Sequence, residues 1–522
     1  MVSRRLLHNS SANMLGRLVA AGSNVIAAPI ILLAIGREGF GVVTFTLSFW
    51  VLASLLDLGL AGTANRAMAQ VEGSGKDHSK HSDMLRTFEL IYWPGAAIII
   101  VTTIAVSGWV ARDWLQLRTV SPSEGAFVVA SIGLMLGLRF PVGLYSGVLF
   151  GLGRFVAQNV IFGGISAVRY LGGAALVVFF SPSVMLYAKW LVLTALVEVL
   201  ATALVAWNSL GGWRLFMAGR FQRVILSKHW QFSLIFAAAG ATSTLVGSLD
   251  RIFLGKMVPA GELGLYGLLY TPGGILTMMS AALGVAAFPE FAANTASSAA
   301  SIVRGFFART QILAACFIIG FGVPLGIHFK PVLRIWTRDA TIVNDGFVPG
   351  LILLSAVAVS ALANPAAMFL IASGRPQIVL LRNLVALPIA CASLALLIPK
   401  WGISGAAVAV LITSVLTEAF LLARAARILM VQSLPVRTLA PIILVFALLC
   451  IVNIVIAVSI DTDLARVTIG GVVSAVISGC LVLRIHGYSG GCLTLGKSFY
   501  KRLTARAHSI RLFSGSLSRW RD

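Results

Sequence analysis

Fourteen continuous apolar runs, each near the length that crosses about 30 Å of hydrocarbon as a helix, constrain this chain more than any motif it carries. They fall at 12–34, 40–67, 87–110, 126–150, 155–179 and 184–207, then at 229–254, 262–291, 305–328, 347–372, 377–398 and 402–424. Two more follow at 437–459 and 465–483. None alternates polar and apolar residues as a barrel strand does. With 58% hydrophobic and 11% charged residues, where ordinary domains carry about one quarter charged, the chain reads as an all-α polytopic membrane protein of about 14 helices. Arg4 and Arg5 precede the first run as in a signal peptide, but no small-residue cleavage site follows, so that run reads as a span.

The runs repeat as two sets of six. Gly36-Arg37-Glu38-Gly39-Phe40-Gly41, followed by an apolar run ending near Asp57, has a second copy 223 residues on, at Gly261-Glu262-Leu263-Gly264-Leu265-Tyr266. So long a period does not suit a solenoid and suits two fused, pseudo-symmetric six-helix bundles, a plan common in secondary transporters. The predicted organisation is a first lobe at 1–207, a basic connector at 208–228 and a second lobe at 229–430. Two additional helices lie within 431–483, and 484–522 forms a basic tail.

Orientation follows from Lys and Arg. With the N-terminus inside, the cytoplasmic segments hold about 26 and the opposite side about 11, which places both termini in the cytoplasm. The net charge of +22 is therefore mostly topology. The basic residues are scattered over short loops that no nucleic-acid-binding module fits. No loop exceeds about 20 residues or gathers a nucleophile, base and orienter, so the chain reads as a non-enzyme without cofactor or metal. Cys316, Cys391, Cys450, Cys480 and Cys492 have no CxxC spacing and read as unpaired thiols. Gly491-Cys492-Leu493-Thr494-Leu495-Gly496-Lys497-Ser498 fits the phosphate-loop pattern but lacks the strand before it and the sheet around it, so it reads as coincidence. The tail around it, with Phe499, Leu503, Phe513 and Trp520 among basic residues, reads either as an amphipathic segment on anionic lipid or as a disordered tail.

The informative residues are charges within the spans: Arg17, Asp57, Arg139, Arg169, Glu198 and Glu418, with Asp250-Arg251 near the end of the seventh. Each costs about 2.5–3.5 kcal/mol at the bilayer centre, so they must face a wet cavity or one another. Asn13, Arg17 and Asn24 share one helical face, as do Gln158, Ser166 and Arg169, which suggests a polar lining. Arg139 and Arg169 lie near the midplane. Each arginine either pairs with a carboxylate, for instance Arg17 with Asp57, or offers its donor fork to an anion such as a phosphate. All three are in the first lobe, and this surplus suits an anionic head group and disfavours a cationic drug. Asp57, Glu198, Asp250 and Glu418 are cavity or coupling carboxylates. Glu198 and Glu418 occupy matching last spans and read as proton carriers or as static hydrogen-bonding groups. Pro141 is expected to kink its span beside Arg139, while Gly143, Gly147 and Gly151, every fourth residue, are expected to admit a neighbouring helix.

Leu15-Gly16-Arg17 through Gly36-Arg37-Glu38-Gly39-Phe40-Gly41 to Leu56-Asp57-Leu58-Gly59-Leu60 resembles the start of the polysaccharide-biosynthesis, or O-antigen-type, flippases of the multidrug/oligosaccharidyl-lipid/polysaccharide exporter superfamily. Ser248-Leu249-Asp250-Arg251-Ile252-Phe253-Leu254-Gly255 and Gly402-Ile403-Ser404-Gly405-Ala406-Ala407 resemble that family's seventh span and its entry to the twelfth. The resemblance implies a V-shaped pair of bundles in the bacterial inner membrane. Such a carrier moves a polyprenyl-diphosphate-linked oligosaccharide between leaflets by alternating access, among membrane lipids and beside polysaccharide polymerase and export machinery. It also implies that Arg17, Arg139 and Arg169 meet the head group. The alternatives are a lipid II flippase, a drug/cation antiporter, or more remotely a membrane glycan polymerase or ligase.

Overall fold

A computed structural model describes residues 2–57, 64–65, 68, 78–210, 230–297, 300–429 and 436–488. The predicted connector lies mostly outside these residues, as do the phosphate-loop match, Cys492 and the basic tail. In the first half the helices are α1 (Val2–Leu47), α2 (Trp50–Asp57), α3 (His78–Trp109), α4 (Pro122–Gly151), α5 (Phe155–Ala167), α6 (Gly173–Phe179) and α7 (Val184–Leu210). One π-helical turn, Val110–Trp114, extends α3, and another, Val168–Gly172, joins α5 to α6. The second half runs through α8 (Trp230–Val246), α9 (Leu249–Met257), α10 (Ala260–Tyr270), α11 (Gly273–Ser297) and α12 (Ala300–Ile327). It continues with α13 (Phe329–Thr337), α14 (Ala340–Ala372) and α15 (Pro376–Ile428). Two helices close the described chain, α16 (Val436–Ser459) and α17 (Asp463–Tyr488). The protein is an all-helical polytopic membrane protein.

Among the described residues nine helices are by themselves long and apolar enough to cross a bilayer. Fewer such helices than spans appear because the seventh and eighth spans are each divided, into α8 and α9 and into α10 and α11, and the apolar part of α16 is short. In addition, α1 and α15 each run through two spans. Both break at a glycine with a backbone that L side chains rarely adopt, Gly36 at φ 79° and Gly402 at φ 54°. These breaks coincide with the predicted span boundaries. Helix starts differ more, because capping side chains extend helices past the apolar run. Ser121 and Glu124 form a reciprocal capping box that begins α4 at Pro122, and Asp339 accepts from the Thr341 and Ile342 amides to begin α14 at Ala340. Helix α13 was not anticipated. It is short, and it links α12 to α14 at one end of the molecule.

Prolines inside spans remove the N–H that would bond the carbonyl four residues earlier. Two of those freed carbonyls are used to join helices. Pro29 frees Val25, whose oxygen accepts from the Trp336 indole of α13 at 2.8 Å, and Pro365 frees Ala361, whose oxygen accepts from the Ser280 hydroxyl of α11. Helix α4 likewise runs on through Pro141 without a break.

The two halves meet around the repeated glycines. A Cβ on Gly41 would lie 1.8 Å from the Ala260 carbonyl oxygen, and a Cβ on Gly264 would lie 1.9 Å from that of Arg37. These are the same contact made twice, since 37 and 41 map to 260 and 264 under the 223-residue offset. The pseudo-twofold relation therefore passes through this crossing of α1 and α10. Polar contacts gather at the same end. Arg37 donates to Asp345 at 3.0 Å and to Thr341 at 2.6 Å, Gln116 donates to the Lys256 carbonyl at 2.9 Å, and the Ala260 amide donates to the Gln116 carbonyl at 3.1 Å. Away from that end, α2 packs on α8.

Candidate functional site: a charged pair in each half

The first half concentrates its intramembrane charge at one point. The π-helical turn Val168–Gly172 carries Arg169, and such turns are often found where a side chain must leave the regular helical register. Arg169 is buried to 3% exposure; its Nη2 donates to the Glu198 carboxylate of α7 and its Nε to Thr194 Oγ1 at 3.2 Å. The Trp190 indole donates to the Arg169 carbonyl at 3.1 Å, fastening the turn to α7. Arg139 of α4 donates through Nε to the same Glu198 oxygen at 2.9 Å. Two guanidinium groups therefore share one carboxylate, and the cluster carries a formal surplus of one positive charge. That surplus has an outlet at Arg139, whose side chain is 24% exposed and lies 5.6 Å above the Trp50 ring of α2, a cation–π distance.

A related pair lies in the second half. Arg382 and Glu418 both belong to α15, on either side of its break at Gly402, and approach to 3.0 Å. Arg382 also donates to Asn383 Oδ1 at 2.9 Å, and Asn383 in turn donates to the Ala239 carbonyl of α8 at 2.8 Å. Here one guanidinium meets one carboxylate, and the pair is formally neutral. Its remaining polar atoms are unmet: Glu418 Oε2 and Arg382 Nε are buried without a hydrogen-bond partner.

The other predicted residues divide between packing and surface. Arg17 is exposed on α1, apart from the Arg139–Arg169–Glu198 cluster. Asp57 ends α2; its side chain, and with it the suggested Arg17–Asp57 pair, lies outside the described residues. Asp250 is buried and engaged, accepting from the Tyr266 hydroxyl at 2.8 Å and the Arg251 amide at 2.9 Å. Gln158, Ser166 and Arg169 do share one face, but all three are buried against neighbouring helices. Gly147 is buried in α4, whereas Gly143 is exposed and a Cβ there would meet no described atom within 4 Å. Within α4 the tight helix approach falls instead at Gly133 and Gly137, where a Cβ would meet Thr103 and Ile100 of α3 at 2.2 and 2.3 Å. The cysteines Cys316, Cys391, Cys450 and Cys480 are free, and no three His, Cys, Asp or Glu side chains gather as a metal site among the described residues.

Two partners escaped the sequence. Arg382 was counted with the loop charges because it sits only six residues inside the eleventh predicted span. Glu89, three residues into α3's predicted apolar run, is buried and accepts from Arg86 at 3.0 Å, the Tyr145 hydroxyl at 2.8 Å and the Trp207 indole at 2.9 Å. Its position near a span end concealed how completely it is enclosed.

Comparison with known proteins agrees with this architecture. A protein of Shigella flexneri, provisionally assigned as an O-antigen transporter, is 22% identical over 410 residues, covering 77% of this chain and 93% of that protein. A structure of the lipid II flippase MurJ in an inward closed conformation superposes with a TM-score of 0.67 at 10% identity, covering 92% of this chain and 99% of the other. An inward-facing multidrug resistance MATE family transporter of the MOP superfamily superposes at 0.61 with 12% identity, covering 81% and 100%. The additional coverage by the first of these structures is about the size of α16 and α17 together. At such identities the superpositions speak to the fold alone. The model of the family described as "Polysaccharide biosynthesis protein" matches residues 6–295, more than half of the sequence and all of the Arg139–Arg169–Glu198 cluster, and the chain belongs to that family.

Proposed function

We propose that this protein is a flippase that carries a polyprenyl-diphosphate-linked oligosaccharide from the cytoplasmic to the outer leaflet of the bacterial inner membrane, with both termini in the cytoplasm. The observation that carries the reading is the two-to-one charge ratio at Glu198. One carboxylate cannot neutralise both Arg139 and Arg169, and the surplus sits on the more accessible of the two. A diphosphate supplies the missing negative charge and accepts from a guanidinium in the bidentate manner that Arg favours. A cationic drug finds no such partner there.

In this reading Arg169 and Glu198 form the fixed base of the site and Arg139 is the contact residue. Arg17, exposed on α1, is the candidate for first capture of the head group. With the termini inside, the Gly41–Gly264 crossing and the Arg37–Asp345 pair lie at the outer end, so the described contacts hold the two halves together on that side. Rocking of the halves about this crossing exchanges which side is open, and the polyprenyl tail remains in lipid. Polymerase and export machinery then receive the flipped glycan.

A lipid II flippase presents the same diphosphate chemistry with a different glycan, and the broad superposition on one keeps that cargo as the second reading. The test is binding of polyprenyl diphosphate to the purified protein in nanodiscs. Arg139→Ala is expected to weaken binding about 10–100-fold, the range for losing a charged hydrogen bond, and Arg139→Lys to recover part of it. Equal binding by the wild type and Arg139→Ala overturns the reading.

A further inference from the structure

An unexplained polar feature lies inside the second half. Two adjoining cavities of about 210 and 330 Å³ share Ser243, Ser360, Arg382 and Glu418 in their walls. The larger reaches the lower end of the range for small-molecule sites, about 300–1,000 Å³. Their walls hold three buried atoms without hydrogen-bond partners: Glu418 Oε2, Asn364 Oδ1 and Arg382 Nε. Glu418 is 5% exposed, and a buried polar atom left unmet is costly, so a polar occupant that reaches it is favoured.

The valences of those atoms restrict what fills it. Two are acceptors and one is a donor. A small cation would serve the two acceptors but stand beside the Arg382 guanidinium. An anion would serve Arg382 Nε but stand against Glu418. A neutral group bearing several hydroxyls serves all three, because each hydroxyl both donates and accepts. Ser243, Ser360 and Thr417 add hydroxyl-bearing side chains to walls that also hold apolar residues such as Leu394 and Val410.

The cavity is also near the proposed head-group site. Arg139 lies over Trp50 of α2, and α2 packs on α8, the helix that carries Ser243. A saccharide reading of the cavity requires a ligand held by its diphosphate at Arg139 to extend its next groups past α2 and α8 into the second half.

We propose that the hollow bounded by Ser243, Ser360, Asn364, Arg382 and Glu418 is a saccharide subsite, where hydroxyls of a neutral sugar in the carried glycan meet the unpartnered atoms of Asn364, Arg382 and Glu418. This rests on the flippase reading and adds a division of labour to it: the first half holds charge, the second half reads sugar.

The test compares two probes on the full-length protein in nanodiscs, polyprenyl diphosphate and polyprenyl diphosphate bearing a neutral trisaccharide. In the wild type the trisaccharide is expected to tighten binding about fivefold, the gain of one or two net hydrogen bonds. Ser243→Leu, which fills the hollow, and Asn364→Leu, which removes an acceptor at similar volume, are expected to bring that ratio to about one and leave the affinity for the bare lipid unchanged. Hydrogen exchange on the wild type adds an arm that needs no variant: the trisaccharide lipid, and not the bare lipid, is expected to protect the α14 backbone around 360–364. A ratio near one in the wild type with no added protection means that the hollow holds water only and overturns the proposal. So does a ratio that survives in both variants. Failure of the head-group reading is distinct: it appears as bare-lipid binding that Arg139→Ala does not weaken.

Discussion

Glu198 and Glu418 stand 220 residues apart in matching last spans, yet their surroundings differ in kind. Glu198 is claimed by two guanidinium groups and Arg169 Nε is met by Thr194, so that cluster leaves no buried atom without a partner and is unbalanced in charge. Glu418 has one guanidinium partner, so its pair is balanced in charge and unsaturated in hydrogen bonds. In the proposed reading the same fold element serves two kinds of ligand group, excess charge attracting an anion and excess hydrogen-bonding capacity a neutral polar group. The formal symmetry of the halves sets where the pairs lie, and side chains off the symmetry, Arg139 above all, set what each pair can hold.

The comparison can be broken most sharply at Glu198. Glu198→Gln leaves two guanidinium groups, one of them buried, with no counter-charge, and is expected to cost about 3–5 kcal/mol of stability. Glu418→Gln strands a single, partly accessible arginine and is expected to cost about 1–2 kcal/mol. Thermal unfolding of both variants in the same detergent checks the order, and equal losses would contradict the distinction drawn between the halves. Next in size is Arg139→Ala, which reduces the first-half cluster to the one-to-one ratio of the second. It should remove most diphosphate affinity with little change in unfolding temperature.

Thr194→Val sharpens the comparison from the other direction. It leaves Arg169 Nε as unmet as Arg382 Nε and is expected to lower stability by about 1 kcal/mol with diphosphate affinity retained, as read by unfolding and binding together. The smallest effect concerns a charge outside the spans. The Thr341 hydroxyl and the Thr341 and Ile342 amides donate to Asp339 and hold its carboxyl below the usual carboxylate range. A lowered folded-state value means that this contribution is full above the unfolded value near 4 and is lost as pH falls through the folded one. Asp339→Ala should therefore cost about 0.5–1 kcal/mol near neutral pH, and the gap from wild type should narrow in thermal unfolding as pH falls below about 4. A gap that persists in acid would assign the effect to packing.

Much of this architecture was legible in the chain. Spans read from hydropathy match the helices because a bilayer leaves a backbone few alternatives to helix. Gly36 and Gly402 fall at predicted boundaries for the reason that only glycine accepts their backbone cheaply. The 223-residue repeat marked two equivalent positions, and in the fold these same positions touch. What one dimension hides is adjacency. Arg139, Arg169 and Glu198 stand out singly as charges in apolar runs, but helical spacing within a span says nothing about which span lies beside it. The polar face of Gln158, Ser166 and Arg169 was real and turned toward protein where a wet lining was expected. Arg382 and Glu89 were overlooked because charges near span ends are ordinarily solvated, and only packing shows that these are enclosed.

The central claim is that surplus positive charge at the Arg139–Arg169–Glu198 cluster engages the diphosphate during transport. Its most direct test is the rate at which a fluorescent polyprenyl-diphosphate disaccharide crosses the bilayer of proteoliposomes containing the wild type, Arg139→Ala or Arg139→Lys. The account predicts movement with the wild type, a residual rate with Lys and none above protein-free vesicles with Ala. Wild-type rates with Arg139→Ala would contradict it.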